Sequence, residues 1–160
     1  MSQRRFSRLH PVLLAALLVS GSAWAADDGH DFHHHHLSAV GGGAFKAEKP
    51  KSSFFLGVEY EYLFNPKVGI AGYYEETTGD FDLQAIGALL MWHPTGGLKL
   101  GAGAAVERKF GERKSKALIR FQVAYDFHAG KVSYGPMAAW DLIEDQSNVV
   151  FVGFGVGFGF

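Results

Sequence analysis

The 160 residues carry 15 basic and 16 acidic side chains and no cysteine. A balance this close to neutral leaves no electrostatic footprint for nucleic acid, and without cysteine no disulfide can hold the fold together. Arg4, Arg5 and Arg8 fall in the first eight positions, so most of the chain is mildly acidic.

Residues 1–25 read MSQRRFSRLHPVLLAALLVSGSAWA. A basic start, an apolar stretch from Val12 to Val19 and the small-x-small sequence Ala23-Trp24-Ala25 predict a secretory signal peptide cleaved after Ala25. The apolar stretch is too short for a membrane-spanning helix. Removing this segment leaves 135 residues with 12 basic and 16 acidic side chains, a net charge of −4 with histidine neutral. That length suits one domain.

Residues 26–36 form a His-rich segment, HDFHHHH, with His30, His33, His34, His35 and His36. Neutral imidazoles are ligands for zinc, nickel or copper, and His-rich tracts bind metal. The same composition suits a spacer or an expression tag. Beyond it, no run of about 18 apolar residues occurs. A helical span is excluded, whereas a β-barrel, whose strands carry a weak alternating signal, is not.

Eight alternating segments follow, at 37–48, 54–64, 68–76, 83–93, 98–109, 117–127, 132–142 and 149–160. Most are 9–12 residues long, the length of a tilted strand that crosses a bilayer. Side chains of a strand alternate between two faces. In the second segment Phe54, Leu56, Val58, Tyr60, Tyr62 and Phe64 share a face; in the sixth Ile119, Phe121, Val123, Tyr125 and Phe127 do; in the seventh Val132, Tyr134, Ala138 and Trp140 do. The fifth is weaker. The fourth, LQAIGALLMWH, is apolar on both faces, and its register stays open. The opposite faces are small or charged. Aromatic residues near strand ends suit the girdles of a membrane barrel.

Three connections are tight, at 65–67, 94–97 and 128–131, with turn-forming sequences. They alternate with polar links at 49–53, 77–82, 111–116 and 143–148. An even strand number sets both mature termini on one side, expected to be the periplasm. Pro136 lacks an N–H for a closed barrel, so Gly135-Pro136 is a candidate bulge. The final segment, VVFVGFGVGFGF, has one wholly apolar face, while the other carries Phe151 and then four glycines. That is a greasy strand with a slim inner face. Gly41, Gly42 and Gly43 of the first segment are its slim partner if the barrel closes there. The expected fold is all-β: an eight-stranded antiparallel up-and-down transmembrane barrel over 37–160.

The leader, the eight segments and the terminal aromatic strand together resemble the small outer-membrane β-barrel proteins of Gram-negative bacteria, the OmpA/OmpX-like eight-stranded group. The resemblance implies that Phe154, Val156, Phe158 and Phe160 form the signal that the outer-membrane assembly machinery reads. It also implies outer-membrane lipid, lipopolysaccharide and periplasmic chaperones as partners. The adhesin-like members have long outer loops; the outer links here are short.

The inward charges are Glu59, Glu61, Glu75, Lys99, Glu107, Arg120, Asp126 and Asp141. Glu75, Glu107, Arg120 and Asp141 are expected in the outer half, with a Glu107–Arg120 pair, and Glu61, Lys99 and Asp126 in the inner half. An eight-stranded barrel is just wide enough for its own side chains, so these charges are expected to form a salt-bridged plug; the alternative is a proton or solute path. Catalysis at the lipid face would need a base within reach of a nucleophile. His93 and His128 lie at turns on the wrong side, so neither enzyme activity nor a cofactor is expected. The resulting reading is a structural or envelope-integrity barrel. The alternatives are a narrow channel or transporter and, behind it, a lipid A-modifying enzyme.

Overall fold

The computed structural model describes residues 33–48, 50–111, 114–143 and 148–160; the expected leader and His30 lie outside them. Nine strands follow in order: β1 (His35–Lys46), β2 (Ser52–Asn65), β3 (Val68–Gly79), β4 (Leu83–Trp92), β5 (Leu98–Lys109), β6 (Ser115–Tyr125), β7 (Phe127–Ala129), β8 (Val132–Ile143) and β9 (Val149–Gly159). β6 and β7 are consecutive pieces of one stave, interrupted at Asp126. Both pair with β8, in one uninterrupted register. Each remaining strand pairs antiparallel with its sequence neighbour, and β1 pairs with β9 from His36–Gly159 to Lys46–Val149. The sheet is therefore an eight-stave antiparallel barrel with no free edge, as the alternation predicts, and closure removes the aggregation hazard of an apolar edge strand.

The first strand begins at His35, two residues earlier than expected, so the end of the His tract is part of the barrel. The start of β1, the end of β9 and the turns after β2, β4 and β7 share one end, called here the terminal end. The other four connections share the opposite, link end. Asn65 builds the first turn, its side-chain oxygen accepting from the backbone N–H groups of Lys67 and Val68 at 2.9 and 3.1 Å. Gly130 sits at φ 63° in the turn after β7, a conformation that favours glycine.

Pro136 makes no bulge. Ala124–Met137 and Phe127–Tyr134 keep the same register on either side of it. The neighbouring stave instead drops its ladder at Asp126, whose N–H donates to the Gly97 carbonyl at 2.8 Å. A Cβ on Gly135 would stand 1.8 Å from the Tyr125 oxygen, so glycine allows the staves to approach where proline cannot donate. The register shift that does occur lies at Leu63–Asn65, opposite the start of β3.

The outward faces are apolar. Ile86, Leu90, Phe121, Val152 and Phe154 are about half exposed or more, up to 62% for Leu90. The ambiguous fourth segment is settled by pairing: Leu83, Ala85, Leu89 and Met91 point inward, and Ile86, Leu90 and Trp92 outward. Ten residue steps along β9, tilted as in a small barrel, rise roughly 25 Å, the height of an outer-membrane apolar band. Aromatic rings crowd the terminal end. Tyr125, Phe127 and Tyr134 form a chain there with centroids 5.1 and 5.8 Å apart, which reaches Phe154 at mid-strand 6.4 Å further on, and Tyr62–Phe64 and Phe158–Phe160 are two more ring pairs at that end. The link end has a sparser set in Phe45, Phe54 and Trp140.

Candidate functional site

The lumen is the one place where charge is buried on this scale among the described residues. Strand parity aims Glu59 and Glu61 (β2), Glu75 (β3), Lys99 and Glu107 (β5), Arg120 (β6) and Asp141 (β8) inward, and all are at most 7% exposed. Asp126, at the break between β6 and β7, is half-buried.

Arg120 closes the link half. Its Nε and Nη2 donate to the Asp141 carboxylate at 2.6 and 2.7 Å. Asp141 is its direct neighbour across the β6–β8 ladder. Its Nη1 donates to Glu75 Oε2 at 2.8 Å, and Nη2 also bonds Glu75 Oε1. Glu75 belongs to β3, so this second contact crosses the lumen. The guanidinium further lies over the rings of Tyr73 and Phe151, 4.2 and 4.7 Å from their centroids. A desolvated cation over an aromatic face gains about 2 kcal/mol, and two forked carboxylates satisfy the donors that burial strips of water. Phe151 meets Phe55 edge-on at 5.2 Å. Phe55 lies over the closing seam, where Gly42 faces Gly153. A Cβ on Gly153 would fall 2.8 Å from its ring and 2.4 Å from the Gly41 oxygen. The slim inner faces of the first and last strands thus make room for a ring from a third.

The expected Glu107–Arg120 pair is not formed. Gly103 is opposite Arg120 and Lys116 is opposite Glu107, four residues apart along β5 and so roughly 13 Å. Equal height in a sequence diagram ignores the stagger that strand tilt imposes.

In the terminal half, Glu61 holds His93 Nε2 at 2.6 Å and lies 3.4 Å from Lys99 Nζ. Lys99 reaches Asp126 at 2.8 Å. Gln122 donates to Glu59 at 2.9 Å. Between these groups is a small, partly open cavity of about 20 Å³, room for roughly one water, lined by Ser38, Glu59, Lys99, Gln122, Asp126 and Ser133 among others.

The His tract does not gather. Entering β1 at His35, it sends successive rings to different places: His34 Nδ1 donates to the Leu63 carbonyl at 2.8 Å, His35 Nδ1 is 2.6 Å from the Tyr60 hydroxyl, and His36 Nε2 is 2.8 Å from Ser133 Oγ inside the barrel. His33 packs beside Gly159. Among the described residues no group of three or more His, Asp or Glu is arranged to hold a metal ion. A boundary between the tract and the first strand at Leu37 hides the His36–Ser133 contact; extending the alternation back to His35 puts His36 inward with Ser38. The Nδ1 neighbour of His36 is Ser38, at 3.2 Å, not a carboxylate, and Ser133 is buried.

Phe154, Val156 and Phe160 all point outward and are about half exposed, and Phe158, less exposed, shares their face. Phe160 exchanges backbone hydrogen bonds with His35 and stacks on its ring at 5.4 Å.

No protein-family model matches the chain, and no curated protein does. Solved structures do match. The N-terminal β-barrel domain of Pseudomonas aeruginosa OprF has a TM-score of 0.64 at 14% identity, over 79% of this chain and 96% of that one. Neisserial surface protein A has 0.62 at 16%, over 79% and 96%. The outer membrane protein OprG of Pseudomonas aeruginosa has 0.51 at 13%, over 82% and 99%. At such identities the likeness is one of backbone, and it says that this chain has the fold of the small outer-membrane barrels: eight antiparallel staves closed on themselves.

Proposed function

We propose that the protein is an integral outer-membrane barrel with its termini at the periplasmic end, acting as a closed structural or interaction element rather than a conduit. The observation that carries the closed lumen is Arg120, held by Glu75 from one wall and Asp141 from the other, over Tyr73 and Phe151. A solute passing along the axis would have to break both forks. Membrane insertion is supported by the outward faces. Between the link-end row of Glu76 and Arg108 and the terminal turns, none of the described strands carries an outward charge. A soluble monomer rarely exposes an apolar patch beyond several hundred Å², and a continuous belt far exceeds that. The cavity on the terminal side of Arg120 is then a blind vestibule. In the same reading, the outward face of β9, from Phe154 to Phe160, is what the assembly machinery recognises.

Planar-bilayer recording tests the closed lumen. The purified barrel is expected to give no steady unitary openings, whereas Arg120→Ala, which leaves two carboxylates facing a gap, is expected to give noisy or intermittent cation conductance. Steady openings in the unmodified protein would establish the channel reading instead.

A further inference from the structure

The link between β3 and β4 is Asp80-Phe81-Asp82. Side chains of a connecting segment ordinarily meet water, and Asp80 and Asp82 are exposed, yet Phe81 between them is 8% exposed. Gly79, at φ 148°, makes the turn that inverts it. That conformation suits glycine, and a Cβ there would stand 2.9 Å from Ser53 Cα. The chain then folds back over the link-end mouth of the barrel. Asp80 N–H donates to the Ser52 carbonyl at 3.1 Å, and the Asp80 carboxylate accepts from Ser52 N–H at 3.0 Å. The Asp82 carboxylate accepts from Gly79 N–H at 3.1 Å.

Phe81 is clasped through its backbone. The Ser53 hydroxyl accepts from Phe81 N–H at 3.0 Å and donates to the Phe81 carbonyl at 2.8 Å. Thr77 Oγ1 donates to the same carbonyl at 3.1 Å and accepts from Leu83 N–H at 2.9 Å. Ser53 and Thr77 are buried inward residues of β2 and β3. The ring continues toward β1, where Lys46 Nζ lies over it, 5.1 Å from its centroid. One residue of a short link thus reaches from β3 and β4 over β2 to β1, and it covers the link end of the closing seam. Beneath it along these strands come Ala44, which pairs with Ser53 and with Phe151, then the Phe55–Phe151 contact, and then Arg120 over Phe151.

We propose that this link is a latched lid: Phe81 seals the link-end mouth, Ser53 is its latch, and the mouth opens while the staves stay closed. An inward residue of a stave is held by the ladders on either side and moves only with the barrel. Phe81 has no ladder partner. Its place depends on the side chains of Ser53, Thr77, Asp80 and Asp82. Such a segment opens locally at a lower free-energy cost than global unfolding. The proposal rests on the closed-lumen reading above and adds a second barrier in series with Arg120. With the lid down, water at the link end is kept from the Arg120 tier by apolar side chains. With the lid raised, a small solute enters as far as Ala44 and the Phe55–Phe151 layer, and Arg120 still bars the way beyond.

The test uses the full mature chain refolded in detergent, which has no cysteine of its own. A single reporter is introduced as Ala44→Cys, under the lid, or as Ala71→Cys, inward on β3 opposite Glu61 in the terminal half; both alanines are 0% exposed. Alkylation by iodoacetamide is followed by mass spectrometry, and folding by the mobility shift between unheated and boiled samples. Both reporters are expected to react slowly while the lid is intact. Adding Phe81→Ala or, separately, Ser53→Ala is expected to speed alkylation of Ala44→Cys by roughly tenfold or more, as local opening becomes more frequent, and to leave Ala71→Cys unchanged. Unchanged protection of Ala44→Cys in the folded Phe81→Ala barrel would overturn the lid, and in the folded Ser53→Ala barrel would overturn the latch. An equal rise at both reporters would also overturn the proposal, because the whole barrel would then have loosened. Fast alkylation of Ala44→Cys alone with Phe81 and Ser53 in place would overturn the lid and leave the closed lumen standing; fast alkylation of both reporters would overturn the closed lumen itself.

Discussion

Arg120 shows what a single side chain can decide in a barrel this narrow. It is 2% exposed and carries five donors in a fixed fork, and both of its carboxylate partners are as deeply buried. Replacing it by alanine leaves Glu75 and Asp141 facing each other without a cation. Removing one member of a buried ionic group costs roughly 3–5 kcal/mol. Arg120→Ala is therefore expected to unfold at a clearly lower urea concentration than the parent when both are refolded in detergent. Arg120→Lys, which keeps the charge but not the two forks, should fall between them. An unchanged midpoint for the alanine variant would mean that the cross-lumen bonds contribute nothing. Parity alone aims Arg120, Glu75 and Asp141 inward, so their burial was legible in the chain. That Glu75, 45 residues away, is the second partner was not, because it depends on which walls face each other after closure.

At the scale of an element, β9 combines two demands that period two keeps apart. Its outer face supplies aromatics to the belt, and its inner face supplies the glycines that admit Phe55 and His36. If the outer face is also an assembly signal, the two roles separate experimentally. Phe160 is half exposed and held by backbone bonds to His35 that any residue could make. Phe160→Ala is thus expected to lower stability after refolding by no more than about 1.5–3 kcal/mol, the value of a buried apolar side chain, while sharply reducing the amount assembled in cells. Equal effects in both settings would reduce Phe160 to a packing residue. β4 marks the opposite case. With Gln84 the only polar residue on either face, its local pattern carries almost no phase. The ladder to β3 and β5 supplies it by setting Leu89 between Ala71 and Gly103, and only one of the two phases keeps Met91 off lipid and over Gly101.

For the whole molecule, closure and the apolar belt make one joint prediction. The protein should fractionate with outer membranes, and in gels it should migrate faster unheated than boiled, because a closed ladder with no edge resists unfolding by detergent. Recovery as a soluble periplasmic protein would contradict insertion, whatever the lumen contains.

The amino-acid sequence by itself determined the number of staves, their alternation, the positions of the tight turns and which charges point inward. Each of these is set by neighbours one or two residues apart, where backbone geometry leaves a strand only two faces. The tertiary structure decided the rest: that Arg120 meets Glu75 rather than Glu107, that His36 enters the lumen beside Ser133, that Pro136 interrupts its neighbour instead of bulging, and that β4 turns Leu89 inward. The first two depend on the stagger between strands, which accumulates around the barrel and is fixed only when β1 pairs with β9; the last two are set by the ladders to the adjacent staves. A pattern of period two is unchanged when a strand slides by two residues, whereas a contact across the lumen is lost.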